Sequence, residues 1–414
     1  MQNRIVTRPG LERLLTNVES VRSELGTPCY AYDYPSIRST LDLLCTTSRL
    51  AGFENNSRFY LAFFALPNLS LFKSLLQENQ QIGIACNTLE EIEALRSGGF
   101  SEWDRAVFTG GVLPERELNE ILRTGCMVNV ASAGNVEIAA AYNAQSRIGL
   151  RLDFTNSALK GIRIAKIRSC LETLRIAGKH LTSLHAYPGT EIEEIDSLLR
   201  HADTLLGYAG GIAELSEINY GGGFWYNYSH LTGDVSSLVD FQCYFEGVME
   251  YNRKVLGHRH VRHCWEPGRI VFAGSGFFVT EVLEVRQTGA VCADVYIDAS
   301  FTQVPAPKIR NRQHQVIVAD PTGTRKVGNR YDCRICGSTT LSTDQLLPKP
   351  CSLPEVRAGD LLIILDVGAY GRAGSYNFLG KATPPEVLVT ENGWQVIRQR
   401  QRKDHLLEGL DRIQ

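Results

Sequence analysis

Residues 59–97 read FYLAFFALPNLSLFKSLLQENQQIGIACNTLEEIEALRS, and they contain one pattern twice. A short apolar run at 59–62 precedes a stretch at 69–77 whose apolar residues recur at helical spacing. The same two features return at 82–85 and 88–97. Short apolar runs are typical of buried strands, and the longer spaced stretches are typical of amphipathic helices. This segment therefore predicts strand, helix, strand, helix.

The same alternation continues toward the carboxyl terminus. Apolar runs lie at 106–108, 127–130, 148–152, 181–185 and 218–220, and each is followed by a helical pattern. Repeated βα units predict parallel strands joined by helices. We therefore predict an α/β fold with a (β/α)8 TIM-like barrel. In such a barrel the site residues lie at the carboxyl ends of the strands.

The pattern changes after about residue 277. Apolar runs at 278–282, 315–318 and 361–365 are separated by turn residues and carry no helical spacing between them. They predict a C-terminal β-domain of the β-sandwich or β-barrel-like kind. The predicted domains are an N-terminal segment that packs with the β-domain, a barrel, the β-domain and a charged tail, at residues 1–29, 30–276, 277–398 and 399–414.

Composition narrows the class of function. The 414 residues include 43 Lys+Arg and 45 Asp+Glu, so the charge of −2 favours neither nucleic acid nor an anionic membrane as partner. No run of about 20 apolar residues occurs, and the eleven cysteines are scattered, as is typical of reduced cytoplasmic proteins. Cys333 and Cys336 form an isolated C-x-x-C without a second pair, so we predict no metal. Small-molecule chemistry in the cytoplasm is the prediction.

Three features could carry that chemistry. His185 ends an apolar strand, and is either a ring at the barrel mouth or a buried core histidine. Residues 221–223 are three glycines after a strand, which suits either a phosphate cradle or a tight turn. Residues 265–269 read WEPGR, a carboxylate and a guanidinium that either serve a ligand or pair with each other. Their order, about forty residues apart, is more specific than any one of them.

In this order the three features resemble those of the fold-type III pyridoxal-phosphate decarboxylases, the family of ornithine, diaminopimelate and arginine decarboxylases. The resemblance spans nearly the whole chain. It includes TPCYAYD at 27–33, IACNTLEE at 84–91, DVGAYG at 366–371 and PPEVLV at 384–389.

The resemblance implies a site for pyridoxal 5′-phosphate. It implies that His185 stacks on the pyridine ring and that Glu266 pairs with the ring nitrogen, which lets the ring accept electrons from a breaking bond at Cα. The other implied cofactor contacts are Arg151 near the ring and Gly221, Gly222, Gly223, Gly268, Arg269 and Tyr370. Cys336 and Tyr370 match residues that relatives supply from a neighbouring subunit. A homodimer with shared active sites follows.

The main departure from the family is at one position. Relatives carry the Schiff-base lysine at the end of the first barrel strand, and this chain has Phe64 there, in FFALPN at 63–68. Gly83 and Gly337 stand where relatives often carry acidic residues. Phenylalanine can neither anchor the cofactor nor move protons, and loss of acid–base help costs about 10²–10⁴-fold in rate.

Three hypotheses follow. In the first, the chain binds pyridoxal phosphate noncovalently and acts as a decarboxylase-like enzyme on an amino-acid-type substrate, with altered or reduced chemistry; Glu266, His185 and Cys336 are then the catalytic residues, and Cys336 delivers a proton to Cα. In the second, it is an inactive regulator or dimer partner of a lysine-containing relative. In the third, the barrel serves an unrelated reaction and Phe64 is a pocket wall.

Overall fold

The computed structural model describes residues 8–54, 56–144, 146–154, 161–228, 236–290, 292–406 and 408, with the backbone alone at 236–240, 403 and 406. The helices are α1 (Pro9–Leu25), α2 (Tyr34–Ser48), α3 (Leu69–Glu78), α4 (Leu89–Ser97), α5 (Glu115–Leu122), α6 (Ala133–Ala141), α7 (Ile167–Ile176), α8 (Ile195–Gly210), α9 (Ser236–Val255), α10 (Arg269–Phe272) and α11 (Ala306–Ile309). Within these residues no helix has the length and apolar character needed to cross a membrane.

The strands of the first half are β1 (Cys29–Asp33), β2 (Ser57–Ala62), β3 (Ile82–Cys86), β4 (Ala106–Phe108), β5 (Met127–Val130), β6 (Arg147–Asp153), β7 (Ile162–Arg163), β8 (Leu181–Ala186), β9 (Glu217–Asn219) and β10 (Arg262–Trp265). Those of the second half are β11 (Gly276–Gly289), β12 (Cys292–Ile297), β13 (Val316–Ala319), β14 (Tyr331–Cys336), β15 (Cys351–Leu353), β16 (Leu361–Ile364), β17 (Glu386–Thr390) and β18 (Gly393–Arg398).

Eight parallel strands form a closed barrel. Their order is β5-β4-β3-β2-β10-β9-β8-β6, and a β5–β6 pairing closes the ring. Each predicted strand between residues 59 and 220 lies in this barrel, so the (β/α)8 prediction is confirmed. All the carboxyl ends of parallel strands meet at one face, and the loops at that face position the candidate site.

A packed layer fills the barrel interior. Tyr60, Ala85, Val107, Met127 and Cys264 come from five different strands and form one buried cluster. The Tyr60 hydroxyl donates a hydrogen bond to the buried Glu217 carboxylate at 3.0 Å.

This packing explains the glycine at position 83. A Cβ there would lie 2.5 Å from the Arg105 carbonyl oxygen and 2.6 Å from the Tyr60 ring, both far inside van der Waals contact. Gly83 therefore leaves the space that the Tyr60 ring and the neighbouring strand occupy, and an acidic side chain has no room in this barrel.

The chain divides into two compact units. One comprises residues 41–226 and 235–268, and the other comprises the described residues within 1–40, 227–234 and 269–414. Residues 30–40 and 269–276, which the sequence analysis gave to the barrel, group with the second unit. The reason is visible in β1, whose partners are β11, antiparallel, and β17, parallel. A five-residue strand that is buried throughout has the same apolar sequence pattern in a barrel as in a sheet.

The second unit is built on a mixed sheet of nine strands, β1 and β11 to β18. The predicted strands at 278–282, 315–318 and 361–365 lie in β11, β13 and β16, so the separate β-domain is confirmed. Helix α1 packs on this sheet through Leu11, Leu14, Val18 and Val21, which recur at helical spacing and are buried. Helix α1 thus belongs to the core of this unit.

Candidate active site

Four barrel strands and the loops that follow them bring the predicted polar residues together. Arg151 lies in β6 and His185 in β8, while the glycines at 221–223 follow β9 and Glu266 follows β10. Strands β6, β8, β9 and β10 are consecutive neighbours in the barrel. Because the strands are parallel, these residues converge at the carboxyl face, as the sequence predicted.

The Glu266 carboxylate is anchored through one of its two oxygens. Oε1 accepts hydrogen bonds from the Asn219 amide nitrogen at 2.9 Å and from the Thr109 hydroxyl at 3.3 Å. His185 Nε2 lies 3.5 Å from the same oxygen. Among the described residues no hydrogen bond reaches Oε2, and the side chain keeps about a tenth of its surface exposed. Oε2 is therefore the oxygen that a ligand can reach.

The electrostatics of these groups keep Glu266 ionised. Burial alone raises the pKa of the Glu266 carboxyl, but His185, Arg151 and the Asn219 amide together hold this pKa below its ordinary value. Burial lowers the pKa of His185 despite the neighbouring carboxylate, so the imidazole is neutral at pH 7. Burial likewise lowers the pKa of Arg151. An ionised, buried carboxylate is suited to hold a proton on a ring nitrogen.

The turn at 221–223 requires glycine at each position. Gly221 and Gly223 have φ of 68° and 93°, in the left-handed region that glycine adopts without strain. A Cβ at Gly222 would lie 2.3 Å from the Glu266 carbonyl oxygen. The backbone N–H of Glu266 donates to the Gly221 carbonyl at 2.9 Å, so this turn and Glu266 are held side by side.

His185 and Arg151 carry buried nitrogen atoms. Among the residues that the structure describes, no hydrogen bond is made by either ring nitrogen of His185 or by Arg151 Nε. The Arg151 guanidinium lies 5.9 Å from the centre of the Tyr187 ring. The His185 side chain is only 1% exposed, so stacking on a ligand ring would require its neighbours to move. The stacking role of His185 stays a prediction.

Phe64 lies in a 3₁₀ turn, Phe63–Ala65, directly after β2. The backbone N–H of Ala62 donates to the carbonyl of Pro267, the residue after Glu266, at 3.2 Å. Phe64 is half-buried, whereas Phe63 is buried and packs edge-on against Phe72, as expected for barrel-core packing. The position that the resemblance assigns to the lysine therefore stands at the same end of the barrel as Glu266.

The described lysines of the barrel unit lie on helices and connections, outside the barrel strands. The amines of three of them donate to oxygens of the outer helices and their connections: Lys73 to Gly98, Lys179 to Ala144 and Lys254 to Glu250. Lys166 is exposed at the start of α7. Lys160 lies outside the described residues.

The second unit brings Arg269 and Tyr370 together. The Arg269 guanidinium lies 4.8 Å from the centre of the Tyr370 ring and donates a hydrogen bond to the Tyr228 hydroxyl at 2.8 Å. This pairing occurs within one chain and needs no second subunit. That Tyr370 serves a neighbouring chain's site stays a prediction. Gly268 precedes Arg269 at the junction of the two units.

Cys336 ends β14. Its thiol donates to the Arg334 carbonyl, and burial raises its pKa above the ordinary value of 9.0, so the group is a protonated thiol at pH 7. Cys333 faces the core on the other side of the same strand, so the C-x-x-C pair does not converge. Beside Cys336, a Cβ at Gly337 would lie 2.3 Å from the Asp344 carboxylate, which explains the glycine there.

The sequence analysis missed the residues that orient Glu266. Asn219, Thr109 and Asn129 are buried, and the Asn129 amide donates to the Thr109 hydroxyl at 3.0 Å. Their position in the sequence could have identified them, because each lies at or just after the carboxyl end of a barrel strand, where site residues are expected.

These residues fit pyridoxal phosphate at its ring nitrogen and at its phosphate. Glu266 offers one reachable carboxylate oxygen, and the glycine turn beside it presents backbone without side chains. The partnerless nitrogens of His185 and Arg151 are polar groups that a ligand would satisfy. At position 64, where the resemblance implies an amine, this chain carries phenylalanine.

Comparison with known proteins shows the family of this chain. The family model described as "Pyridoxal-dependent decarboxylase, C-terminal sheet domain" matches residues 29–368. The chain is similar to the diaminopimelate decarboxylase of Methanothermobacter thermautotrophicus, with 26% identity over 93% of this chain and 92% of that protein. It is also 26% identical to the Escherichia coli K12 diaminopimelate decarboxylase, over 94% of this chain and 95% of that protein.

Solved structures share the fold. A crystal structure of diaminopimelate decarboxylase superposes with a TM-score of 0.83 at 24% identity, over 94% of this chain and 95% of that one. The Helicobacter pylori diaminopimelate decarboxylase complexed with L-lysine superposes with a TM-score of 0.80 at 22% identity, over 95% of this chain and 100% of that one. Since the family model covers more than half of the sequence, this chain belongs to the family of pyridoxal-dependent decarboxylases, whose cofactor is pyridoxal phosphate.

Proposed function

We propose that this chain binds pyridoxal phosphate noncovalently in its barrel and acts on an amino acid at the carbon that bears the amine. The observation that carries the proposal is Glu266, a buried carboxylate kept ionised, with one oxygen anchored and the other reachable. A carboxylate in that state has a specific use beside a pyridine ring, because it keeps the ring nitrogen protonated.

When bound, the cofactor supplies an electron-accepting ring for the electron pair of a breaking bond at Cα. Glu266 holds the proton on the ring nitrogen. Cys336, protonated at pH 7, is our proposed proton donor to Cα. Phe64 supplies neither an anchor nor a proton, so we expect turnover about 10²–10⁴-fold below that of a lysine-containing relative.

The proposed substrate class is an amino acid that carries a second amine. The relatives named above are diaminopimelate decarboxylases, and another similar structure is a lysine/ornithine decarboxylase complexed with cadaverine. Screening would therefore begin with diaminopimelate, lysine and ornithine.

The test is a titration of the purified protein with pyridoxal phosphate, followed by borohydride reduction and intact mass measurement. We expect saturable binding and no covalent pyridoxyl group. The E266Q variant, nearly the same in shape, should bind more weakly because the ring nitrogen loses its ionic partner. No saturable binding by the natural chain would reject the proposal. A covalent adduct, located by peptide mapping, would reject the noncovalent form and would test Lys160 directly.

A second candidate rests on Phe64 itself. In this version the chain has lost its own chemistry and pairs with a lysine-containing relative, to whose site its β-domain contributes Cys336 and Tyr370. The test is co-expression with such a relative and measurement of the complex by mass photometry. A mixed dimer in which the relative's activity is raised supports this candidate. If only homodimers form in the mixture, this candidate is excluded and the first proposal, a homodimeric enzyme, is favoured.

The thiols support a cytoplasmic location. All eleven cysteines are unpaired in the structure, and free thiols persist in a reducing compartment. Cell fractionation would test this, and recovery from an oxidising compartment would refute it.

A further inference from the structure

We propose that Asn219 is the positioning residue that joins the two ends of the cofactor site; this inference rests on the proposed function. Its amide nitrogen donates to Glu266 Oε1 at 2.9 Å, and its amide oxygen accepts from the Gly221 backbone N–H at 2.9 Å. One side chain therefore contacts both the ring-nitrogen partner and the first residue of the glycine turn.

The orientation of the Asn219 amide is fixed by its surroundings. A backbone N–H can only donate, so the atom of Asn219 that faces Gly221 must be the oxygen. The NH₂ group then faces Glu266, and Oε1 must act as the acceptor. Asn219 has no exposed surface, so water cannot take over either bond. The amide thus selects the carboxylate form of Glu266.

Thr109 also donates a hydrogen bond to Glu266 Oε1, but it contacts only this end of the site. Its hydroxyl receives a hydrogen bond from the Asn129 amide at 3.0 Å, which leaves its own proton for Glu266. Thr109 therefore reinforces the orientation of Glu266 without contacting the glycine turn through any hydrogen bond among the described residues.

Both donors are neutral, and this matters for the charge of the site. A lysine or arginine bonded to Oε1 would orient the carboxylate but would also cancel its charge. An amide and a hydroxyl orient it and leave its charge available to a cationic ring nitrogen. The arrangement fixes the geometry of Glu266 and leaves its negative charge uncancelled.

The two donors make a matched pair of variants. N219A removes the contacts at both ends, whereas T109V removes only the bond to Glu266. N219D keeps the acceptor for Gly221, replaces the donor to Glu266 by a second carboxyl group, and preserves the side-chain shape.

The experiment compares the binding of pyridoxal phosphate and of pyridoxal, which lacks the phosphate, as a function of pH. We expect N219A to bind pyridoxal phosphate at least about tenfold more weakly and to lose part of the preference for it over pyridoxal. T109V should keep that preference and should lower only the pH at which the bound ring nitrogen loses its proton, read from its absorbance. N219D should keep the preference and shift the pH profile, because two adjacent carboxyl groups share a proton.

Equal phosphate preference in N219A and T109V, both folded by circular dichroism, would overturn the coupling. If the natural chain binds no cofactor, the proposed function fails. The role of Asn219 is then tested by the titration of Glu266 in the cofactor-free protein. Carbon-13 glutamate labelling, with E266Q to assign the signal, gives the Glu266 titration in the cofactor-free protein. The pKa of Glu266 should rise in N219A and rise further in N219D, and an unchanged titration in both would reject the inference.

Discussion

Replacing Phe64 by lysine tests whether the cofactor site lacks only its covalent anchor. Phe64 follows β2 within a 3₁₀ turn, and Ala62, two residues earlier, is hydrogen-bonded to the carbonyl of Pro267. A lysine at this position would start at the same end of the barrel as Glu266. We expect the F64K variant to retain one pyridoxyl group per chain after borohydride reduction, whereas the natural chain retains none.

The cost to stability follows from burial. A fully buried phenylalanine contributes about 1.5–3 kcal/mol, and Phe64 is half-buried, so F64K loses about 0.8–1.5 kcal/mol. For a domain the size of this barrel that loss lowers Tm by about 2–6 °C. The lysine amine at a partly buried site also has its pKa lowered by desolvation, which favours the neutral, reactive form.

The assay is intact mass spectrometry after titration and reduction, with thermal unfolding measured in parallel. F64L is the matched control, because it removes the ring without adding an amine and should acquire no covalent group. A folded F64K variant that binds the cofactor but is never modified at residue 64 would refute the assignment of this position.

Three further predictions concern other parts of the barrel and the β-domain. G222A should lower Tm and abolish cofactor binding, because its Cβ would lie 2.3 Å from a backbone carbonyl, whereas G134A, in helix α6 with open space around it, should reduce neither. Alkylation of Cys336, followed by mass spectrometry, should be slow at pH 7 and accelerate only above about pH 9, because burial raises the pKa of this thiol. Burial lowers the pKa of His263 from 6.5 to about 3, so the unfolded chain binds a proton that the folded chain cannot. Between those pH values the free energy of unfolding should therefore fall by about 1.4 kcal/mol per unit of decreasing pH, and urea unfolding of H263N should lack this component.

The barrel could be predicted because its strands and helices differ in the periodicity of their apolar residues. The runs at 82–85 and 106–108 are short and continuous, and both form barrel strands, β3 and β4. The convergence of His185, the glycine turn and Glu266 followed from one topological rule about parallel strands. Those parts of the site depend only on where each strand ends.

The hydrogen bonds around Glu266 depend on more than strand ends. The donors Thr109 and Asn219 follow β4 or end β9, and they meet at one oxygen across the barrel interior. Such contacts depend on which side chains point inward and on rotamers, neither of which the apolar pattern specifies. Strand β1 shows the same limit, because its five buried residues fit a barrel or a sheet equally well.

The buried Glu266 carboxylate helps to distinguish the two proposed functions. An ionised group inside a barrel destabilises the fold unless it is paired, and an apolar replacement of the whole group is often neutral or stabilising. A barrel that served only as scaffold would have no use for Glu266, nor for the neutral donors that orient it. In this chain His185, Arg151 and Asn219 keep that carboxylate ionised. Asn219 and Thr109 orient it through one oxygen and leave the other reachable. That cost is explained if the barrel still binds a ring cation, and this favours retained cofactor binding in a chain with phenylalanine at position 64.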